Sequence, residues 1–318
     1  MPRLSSVVSE LSRKTVIVLN TKSGFFEGVN SENRKTALLQ KLTITFPEAE
    51  ILKPDPEDIG PTITQAVNQG VKLIIVGGGD GTLNAAANLL ADTQTALAVL
   101  PMGTFNYFAR DLKMPLDPER AVDAIAGGFT LRMDLGQVEM GDSKKQFFLH
   151  NASLGVHSLA VEKRNEYKRN LGINKALGIS WALLETIWKP PRLEGRLESR
   201  EGAEFLRSPF VFIGNNTYDT NSLAFLNRKS LTDGRLTVLY SPPIPSRSLL
   251  KLAILTLVKR NFREIPELID LHTEEVTIRT RKKHLKLILD GEFMKVPPPL
   301  TFRIHPQSLT SIVPQEAA

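Results

Sequence analysis

Two groups of residues have the types and spacing to do chemistry. The first is Gly77-Gly78-Gly79-Asp80-Gly81-Thr82, followed by Leu83, Asn84 and Ala85. Glycines let a backbone approach a phosphate with no side chain in the way. If such a run opens a helix, the free first-turn N–H groups and the helix dipole favour an anion. Asp80 repels a phosphate directly, so its use there is to hold Mg²⁺ or to order the metal's waters. The second group is Asp290-Gly291-Glu292, two carboxylates separated by one glycine. A hydroxyl is a weak nucleophile until its proton is taken, and a carboxylate can take it. If this segment stays extended, both carboxylates project to one face; if it turns, they diverge. The plainer alternatives are a tight strand-to-helix turn for the first group and an Asp-Gly hairpin with a solvated glutamate for the second.

Together the groups suit phosphoryl transfer, which asks a protein mainly for positioning and charge neutralisation. The chain has no Gly-x-x-x-x-Gly-Lys-Ser/Thr loop and no protein-kinase His-Arg-Asp loop. Backbone N–H groups at Gly78 to Thr82, with Asp80 acting through Mg²⁺, would replace that lysine-based machinery. The five histidines are scattered without metal-ligand spacing and read as structural or surface residues.

The elements that must position these groups can be read from periodicity. Leu73 to Val76 is a continuous apolar run, as in a strand buried on both faces, and Leu83 to Leu90 reads as the helix after the glycines. Thr15 to Leu19 is a second strand, ending at Asn20-Thr21-Lys22-Ser23-Gly24. Leu97 to Leu100 is a third, ending at Pro101-Met102-Gly103-Thr104-Phe105-Asn106. Ala49 to Leu52 is a short strand, and helices are expected at Asn33 to Leu42, Pro61 to Asn68 and Pro118 to Ile125. Alternating strands and helices imply a parallel sheet covered on both sides. Ligands of such sheets bind at the carboxyl ends of the strands, so the three loops should meet.

Near Leu131 the texture changes to strands alone. They are expected at Gln146 to Asn151, Pro209 to Gly214, Arg235 to Tyr240, Glu275 to Thr280, Leu285 to Leu289 and Thr301 to Ile304. Turns such as Asp233-Gly234 separate them, which suggests an antiparallel sandwich or barrel. The expected fold is an α/β nucleotide-binding domain over 1–136, a β-sandwich substrate domain over 137–300, and a C-terminal segment, 301–318, whose strand returns to the first domain. The active site would lie in the cleft between the two domains.

Composition bounds the reading. The chain has 318 residues, 42% apolar and 23% charged, which is ordinary globular material with room for two cores. It has no cysteine, which rules out disulfides and thiolate metal sites and fits a reducing cytoplasm. Met1 to Lys14 lacks the apolar core of a signal peptide, and no run approaches the ~20 apolar residues of a membrane span. A formal charge of +6 suits a polyanion or an anionic membrane surface. No aromatic RNA-binding signature or zinc module speaks for nucleic acid.

In order along the chain, these motifs resemble the diacylglycerol kinase catalytic family, which includes sphingosine and ceramide kinases and soluble bacterial lipid kinases. Asn20 to Gly24 is similar to its Asn-Pro-x-Ser-Gly loop, and Gly78 to Thr82 matches its Gly-Gly-Asp-Gly-Thr signature. Pro101 to Arg110 resembles Pro-x-Gly-Thr-x-Asn-Asp-x-Ala-Arg, and Met133 to Gly136 its Ile-Asp-Leu-Gly segment. Thr232 to Leu236 resembles Asp-Asp-Gly-x-Leu, and Leu289 to Glu292 matches Leu-Asp-Gly-Glu. Gly-Gly-Asp-Gly-Thr alone is shared with NAD kinases and phosphofructokinases; the late Leu-Asp-Gly-Glu favours lipid kinases.

The resemblance implies an ATP- and Mg²⁺-dependent kinase acting on a lipid hydroxyl, diacylglycerol-like first. Asn20, Thr21, Lys22, Ser23, Gly24, Gly78, Gly79, Asp80, Gly81, Thr82, Leu83, Asn84, Ala85 and Thr104 would hold the nucleotide. Asp290 and Glu292 would be the catalytic carboxylates, one of them the proton acceptor, with Asp80 beside the phosphates. A structural Mg²⁺ would sit on Asp233 and on backbone carbonyls at Ser230 and Arg235, and Asp134 would join Asp80 in the metal-water network. Four departures stand out: Thr21 replaces proline, Tyr107 replaces an aspartate of that network, Thr232 replaces an acidic residue, and Asp219 to Leu223 lacks the usual glycines. A weakly catalytic nucleotide- or lipid-binding protein, or an NAD kinase, are the competing readings.

The lipid substrate implies a cytoplasmic protein that touches a membrane surface peripherally, with no nucleic-acid partner and a homodimer left open. Two basic amphipathic stretches could dock: 246–263, and the stretch bearing Trp181 and Trp188 flanked by Lys175, Lys189 and Arg192.

Overall fold

The computed structural model describes residues 14–26, 31–155, 193–219, 228–242 and 268–315. The readings placed on the Trp181 stretch, on 246–263 and on all but the first residue of Asp219 to Leu223 lie outside them. The chain divides into two compact units: Met1–Leu135 with Pro306–Ala318, and Gly136–His305.

In the first unit, β1 (Thr15–Leu19), β2 (Glu50–Leu52), β3 (Leu73–Gly78) and β4 (Ala96–Pro101) form a parallel sheet in the order β2-β1-β3-β4. Every residue of β1, β3 and β4 is buried, which is why these strands read as unbroken apolar runs. Leu19 and Leu100 both lie opposite Gly77, so the three strands end level and their following loops begin side by side. Helices Ser31–Thr45, Ile59–Asn68, Asp80–Leu90 and Pro118–Ala126 connect the strands. In Asp80–Leu90 the apolar residues Leu83, Ala86, Ala87 and Leu90 are buried, the i, i+3, i+4, i+7 stripe of a core-facing helix. Pro118–Ala126 starts with Pro118 in its first turn, and the Asp117 carboxylate accepts from the Arg120 N–H at 2.9 Å, a capped start.

In the second unit two antiparallel sheets enclose one core. One sheet has the order β12-β11-β10-β7-β14-β15, from β7 (Asn151–Gly155), β10 (Phe210–Asn215), β11 (Leu236–Tyr240), β12 (Ile269–Thr273), β14 (Leu285–Leu289) and β15 (Glu292–Val296). The other pairs β8 (Leu193–Ser199) with β9 (Gly202–Ser208) and β13 (Glu275–Arg279), and β13 with the first part of β16 (Leu300–Val313). Phe148, Leu154, Leu197, Val211, Ile213, Val276, Leu287, Phe302 and their neighbours, drawn from both sheets, form the buried core. The unit is therefore a β-sandwich.

The strands differ from expectation in several places, and β12 and β15 are absent from the expected list. Gln146 to Asn151 is not one strand: β6 (Lys145–Phe148) pairs with β5 (Phe129–Glu139), and β7 starts a separate run in the other sheet. The last strand is much longer than Thr301 to Ile304, and Ser311 lies parallel to Leu97 of β4, so the chain does return to the first sheet. Strands β5, β8 and β9 also escape the sequence reading: β8 sets Glu194, Arg196 and Glu198 beside its buried leucines, and only Leu206 and Ser208 of β9 are buried.

Candidate functional site

The loops after β1, β3 and β4 meet. The Asn20 N–H donates to the Gly77 carbonyl at 2.8 Å and the Asn20 Nδ2 to Thr82 Oγ1 at 3.0 Å, tying the first loop to the start of helix Asp80–Leu90. Asn20 Oδ1 accepts from the Lys22 N–H at 3.1 Å, an Asx turn that sets the loop's direction. The Met102 N–H donates to the Gly78 carbonyl at 3.0 Å, and the Phe25 N–H to the Met102 carbonyl at 3.2 Å. All three loops are thus bound by backbone.

The glycines are needed because the loops touch. A Cβ on Gly103 would lie 2.6 Å from the Gly79 Cα, and one on Gly77 would lie 2.5 Å from Met102 Sδ and 2.7 Å from Leu19 Cδ2. Asn106 fixes the third loop: it adopts φ 52°, is buried, and its amide accepts from the Gly103 N–H at 2.8 Å while donating to the Gly103 carbonyl at 3.0 Å. The sequence places Asn106 in this loop without a role of its own; an Asn three residues after a Gly in a loop between buried elements is the signal that could have found it.

At the helix start, the N–H groups of Asp80, Gly81 and Thr82 have no preceding turn to bond to. Asp80 accepts from the Phe108 N–H through Oδ1 at 3.3 Å. The Ser23 hydroxyl is buried without a hydrogen-bond partner among the described residues. These features fit a phosphate group: backbone donors at a helix N-terminus, glycines where a Cβ would intrude, and an unmatched hydroxyl in the adjoining loop.

Not every expected nucleotide residue has its side chain in the cradle. Leu83 is fully buried in the core, and Asn84 is buried with its Oδ1 accepting from Asn88 at 2.9 Å. Lys22 pairs with Asp55 at 3.1 Å on the surface. Thr21 is half-buried, and Ala85, Gly24 and Thr104 are exposed.

Asp290 and Glu292 separate. Asp290 and Gly291 have φ 47° and 86° and form the two-residue turn between β14 and β15, with Leu289 paired to Glu292. Two successive positive φ values are what Asp-Gly favours in a hairpin. The Asp290 carboxylate accepts from three consecutive amides: Leu149 at 2.6 Å, His150 at 2.8 Å and Asn151 at 3.0 Å. Its own N–H donates to the Asn151 carbonyl at 2.9 Å. Glu292 is exposed.

The amides that hold Asp290 are themselves fixed. The Leu149 carbonyl accepts from Asn215 Nδ2 at 2.9 Å and from Arg228 Nη1 at 2.6 Å, and the His150 carbonyl accepts from the Tyr218 hydroxyl at 2.6 Å. Asn215, Tyr218 and Arg228 had no place in the sequence reading, because nothing in their spacing links them to residue 290.

Asp233 lies on the Asp-Gly turn, where its N–H donates to Asn216 Oδ1 at 2.9 Å. Partial desolvation pushes its carboxyl up, but the Thr217 and Ser230 hydroxyls, the Thr217 N–H and the charge of Arg235 more than offset this and hold it below the ordinary carboxylate value. A carboxylate that stays ionised is the kind of oxygen donor a hard cation takes. Asp134 is buried and accepts from the Gln307 N–H at 2.8 Å. Among the described residues there is no group of three or more His, Asp or Glu side chains that could hold a metal. A Mg²⁺ bound there would draw on phosphate, carbonyl and water oxygens as well.

An α/β unit with a parallel sheet and a glycine-rich loop cluster at its strand ends is thus followed in the chain by an antiparallel β-sandwich. Residues 14–138 match the family model of the diacylglycerol kinase catalytic domain. A diacylglycerol kinase of Mycobacterium tuberculosis is 29% identical over 156 residues, 49% of this chain and 50% of that protein. A Pseudomonas putida protein named "probable lipid kinase YegS-like" is 30% identical over 198 residues, 61% of each chain. The matches thus span from half to less than two thirds of those relatives' own lengths. The crystal structure of a Bacillus anthracis diacylglycerol kinase superposes with a TM-score of 0.69 over 96% of this chain and 98% of its own, at 18% identity, which speaks for the fold. No helix among the described residues is long and apolar enough to cross a membrane.

Proposed function

We propose that the chain is an ATP- and Mg²⁺-dependent lipid kinase that transfers the γ-phosphate to a lipid hydroxyl, diacylglycerol-like in class. The observation that carries this reading is the cradle: Gly79 against Gly103 at the start of helix Asp80–Leu90, with the Ser23 hydroxyl unmatched beside it. Backbone N–H groups of Gly78 to Thr82 hold the phosphates, and Asn20 keeps the neighbouring loop in register through Thr82. Mg²⁺, when bound, would neutralise charge on the phosphate oxygens, and Asp80 would hold it or its waters.

The proton acceptor in this reading is Glu292. Both oxygens of Asp290 already accept backbone N–H groups, so its carboxylate orders the 149–151 backbone and fixes the turn from which Glu292 projects. Glu292 takes the hydroxyl proton, the hydroxyl oxygen bonds to the γ-phosphorus, and the bond from phosphorus to the bridging oxygen breaks to release ADP.

Labelled ATP with a total lipid extract tests the reading: a labelled phospholipid is expected. ATP binding without any labelled lipid would favour the second reading, a nucleotide- or lipid-binding protein on the same scaffold. Tyr107 in place of an aspartate is the feature that keeps that reading in play. NAD offered as acceptor separates the NAD kinase reading. A lipid acceptor also calls for peripheral contact with a membrane, which the excess of basic residues favours. Sedimentation with anionic vesicles at low and high salt tests it, with binding expected only at low salt.

A further inference from the structure

We infer that Phe105 is the platform on which the purine ring of the nucleotide stacks, and so sets the preference for purine over pyrimidine triphosphates. The inference rests on the nucleotide reading of the cradle above. Phe105 follows Thr104 and is 56% exposed, unusual for a large apolar side chain in a fixed loop. Its ring lies parallel to that of Tyr107, the planes 4° apart and the centroids 5.4 Å apart, an offset stack. Phe25, in the loop after β1, is already engaged by the Phe26 ring and by Arg34, whose guanidinium lies 5.3 Å from its ring centre.

The loop that presents Phe105 is held on every side. Arg110 Nε donates to the Phe105 carbonyl at 3.0 Å, Asn106 closes the loop onto Gly103, and the Phe108 N–H donates to Asp80. The ring is therefore offered in one orientation before any ligand arrives, and little freedom is lost when one binds. A flat, fixed aromatic face suits a flat ring better than a flexible acyl chain. Its position one residue from the cradle suits a base joined through ribose to phosphates held at Gly79 to Thr82. Tyr107 backs the platform, which gives the departure from aspartate at that position a use.

The test measures binding of ATP, CTP and inorganic triphosphate to the wild type and to Phe105→Ala, Phe105→Leu and Phe105→Tyr. Stacking on an aromatic side chain is worth enough that Phe105→Ala should weaken ATP binding about tenfold. Phe105→Leu, which keeps apolar bulk, should lose nearly as much, and Phe105→Tyr should keep wild-type affinity. Triphosphate binding should not change in any variant, and the preference for ATP over CTP should shrink in the Ala and Leu variants. Equal loss of ATP and triphosphate would mean that Phe105 only supports the loop, and unchanged ATP binding in Phe105→Ala would mean that the ring does not meet the base; either overturns the inference. A wild type that binds neither ATP nor triphosphate would overturn the nucleotide reading itself, and this inference with it.

Discussion

The His150 N–H donates to Asp290 Oδ1 at 2.8 Å across 140 residues of sequence. With the amides of Leu149 and Asn151 on the same carboxylate, this bond makes Asp290 an anchor of the sandwich unit as well as a turn residue. Two acidic residues one glycine apart thus have different tasks. One is spent on backbone, and the other is open to solvent.

The two carboxylates should therefore respond differently to substitution. Asp290→Ala leaves three amides without their acceptor and should cost on the order of 2–4 kcal/mol in denaturant unfolding. Glu292→Gln should leave stability within about 0.5 kcal/mol, as exposed substitutions do, yet cut the phosphorylation rate at least ~10²-fold, the scale of a lost general base. Parallel unfolding curves and initial rates check both. A Glu292→Gln enzyme with a normal rate at saturating lipid would return the proton acceptor to Asp290.

Asp80→Asn keeps the shape of the side chain, including an oxygen for the Phe108 N–H. The folded variant should lose Mg²⁺-ATP turnover almost entirely, since positioned charges of this kind supply several kcal/mol of transition-state stabilisation. Circular dichroism and a turnover assay on the same preparation separate a dead site from a lost fold.

Gly103→Ala puts a methyl group 2.6 Å from the Gly79 Cα, where only backbone can yield. The loops after β3 and β4 must move apart, at a cost of about 1–3 kcal/mol, and nucleotide binding should fall with them. Gly24→Ala is the control for stability, since nothing among the described residues lies within 4 Å of its added carbon. Calorimetric titration of triphosphate and thermal melts of the two variants give the comparison.

The Asp233 carboxyl sits below its ordinary value of 3.8 in the folded chain. A carboxylate lowered by folding adds stability above its unfolded pKa and loses it as pH falls through the folded one. Wild type should thus lose more stability than Asp233→Asn between pH 5 and more acid conditions. The difference should be small, because the side chain is exposed. Unfolding at a series of pH values reads it directly.

The parallel sheet and its cradle were legible from sequence because both are local. Thr15–Leu19, Leu73–Gly78 and Ala96–Pro101 are buried on both faces, so each is an unbroken apolar run, and the Gly-rich turn follows its strand directly. Covalent order alone brings Asp80 to a helix N-terminus. The sandwich was legible as a class, through alternation and Asp-Gly turns, but not in its strand list: β8 sets charged residues beside its buried leucines, only two residues of β9 are buried, and the break at Leu149 and His150 depends on which sheet each side must join.

What only tertiary structure decided is where the polar groups point. Asp290 and Glu292 are neighbours in sequence, and spacing left open whether they share a face. The positive φ of Asp290 and Gly291 turns them apart, and the carboxylate of Asp290 finds its donors at 149–151. Those donors are held in place by Asn215, Tyr218 and Arg228. Hydrophobic periodicity records which side of an element faces the core. It does not record which distant amide a half-buried carboxylate will meet, since such a bond leaves no repeat in either stretch of chain.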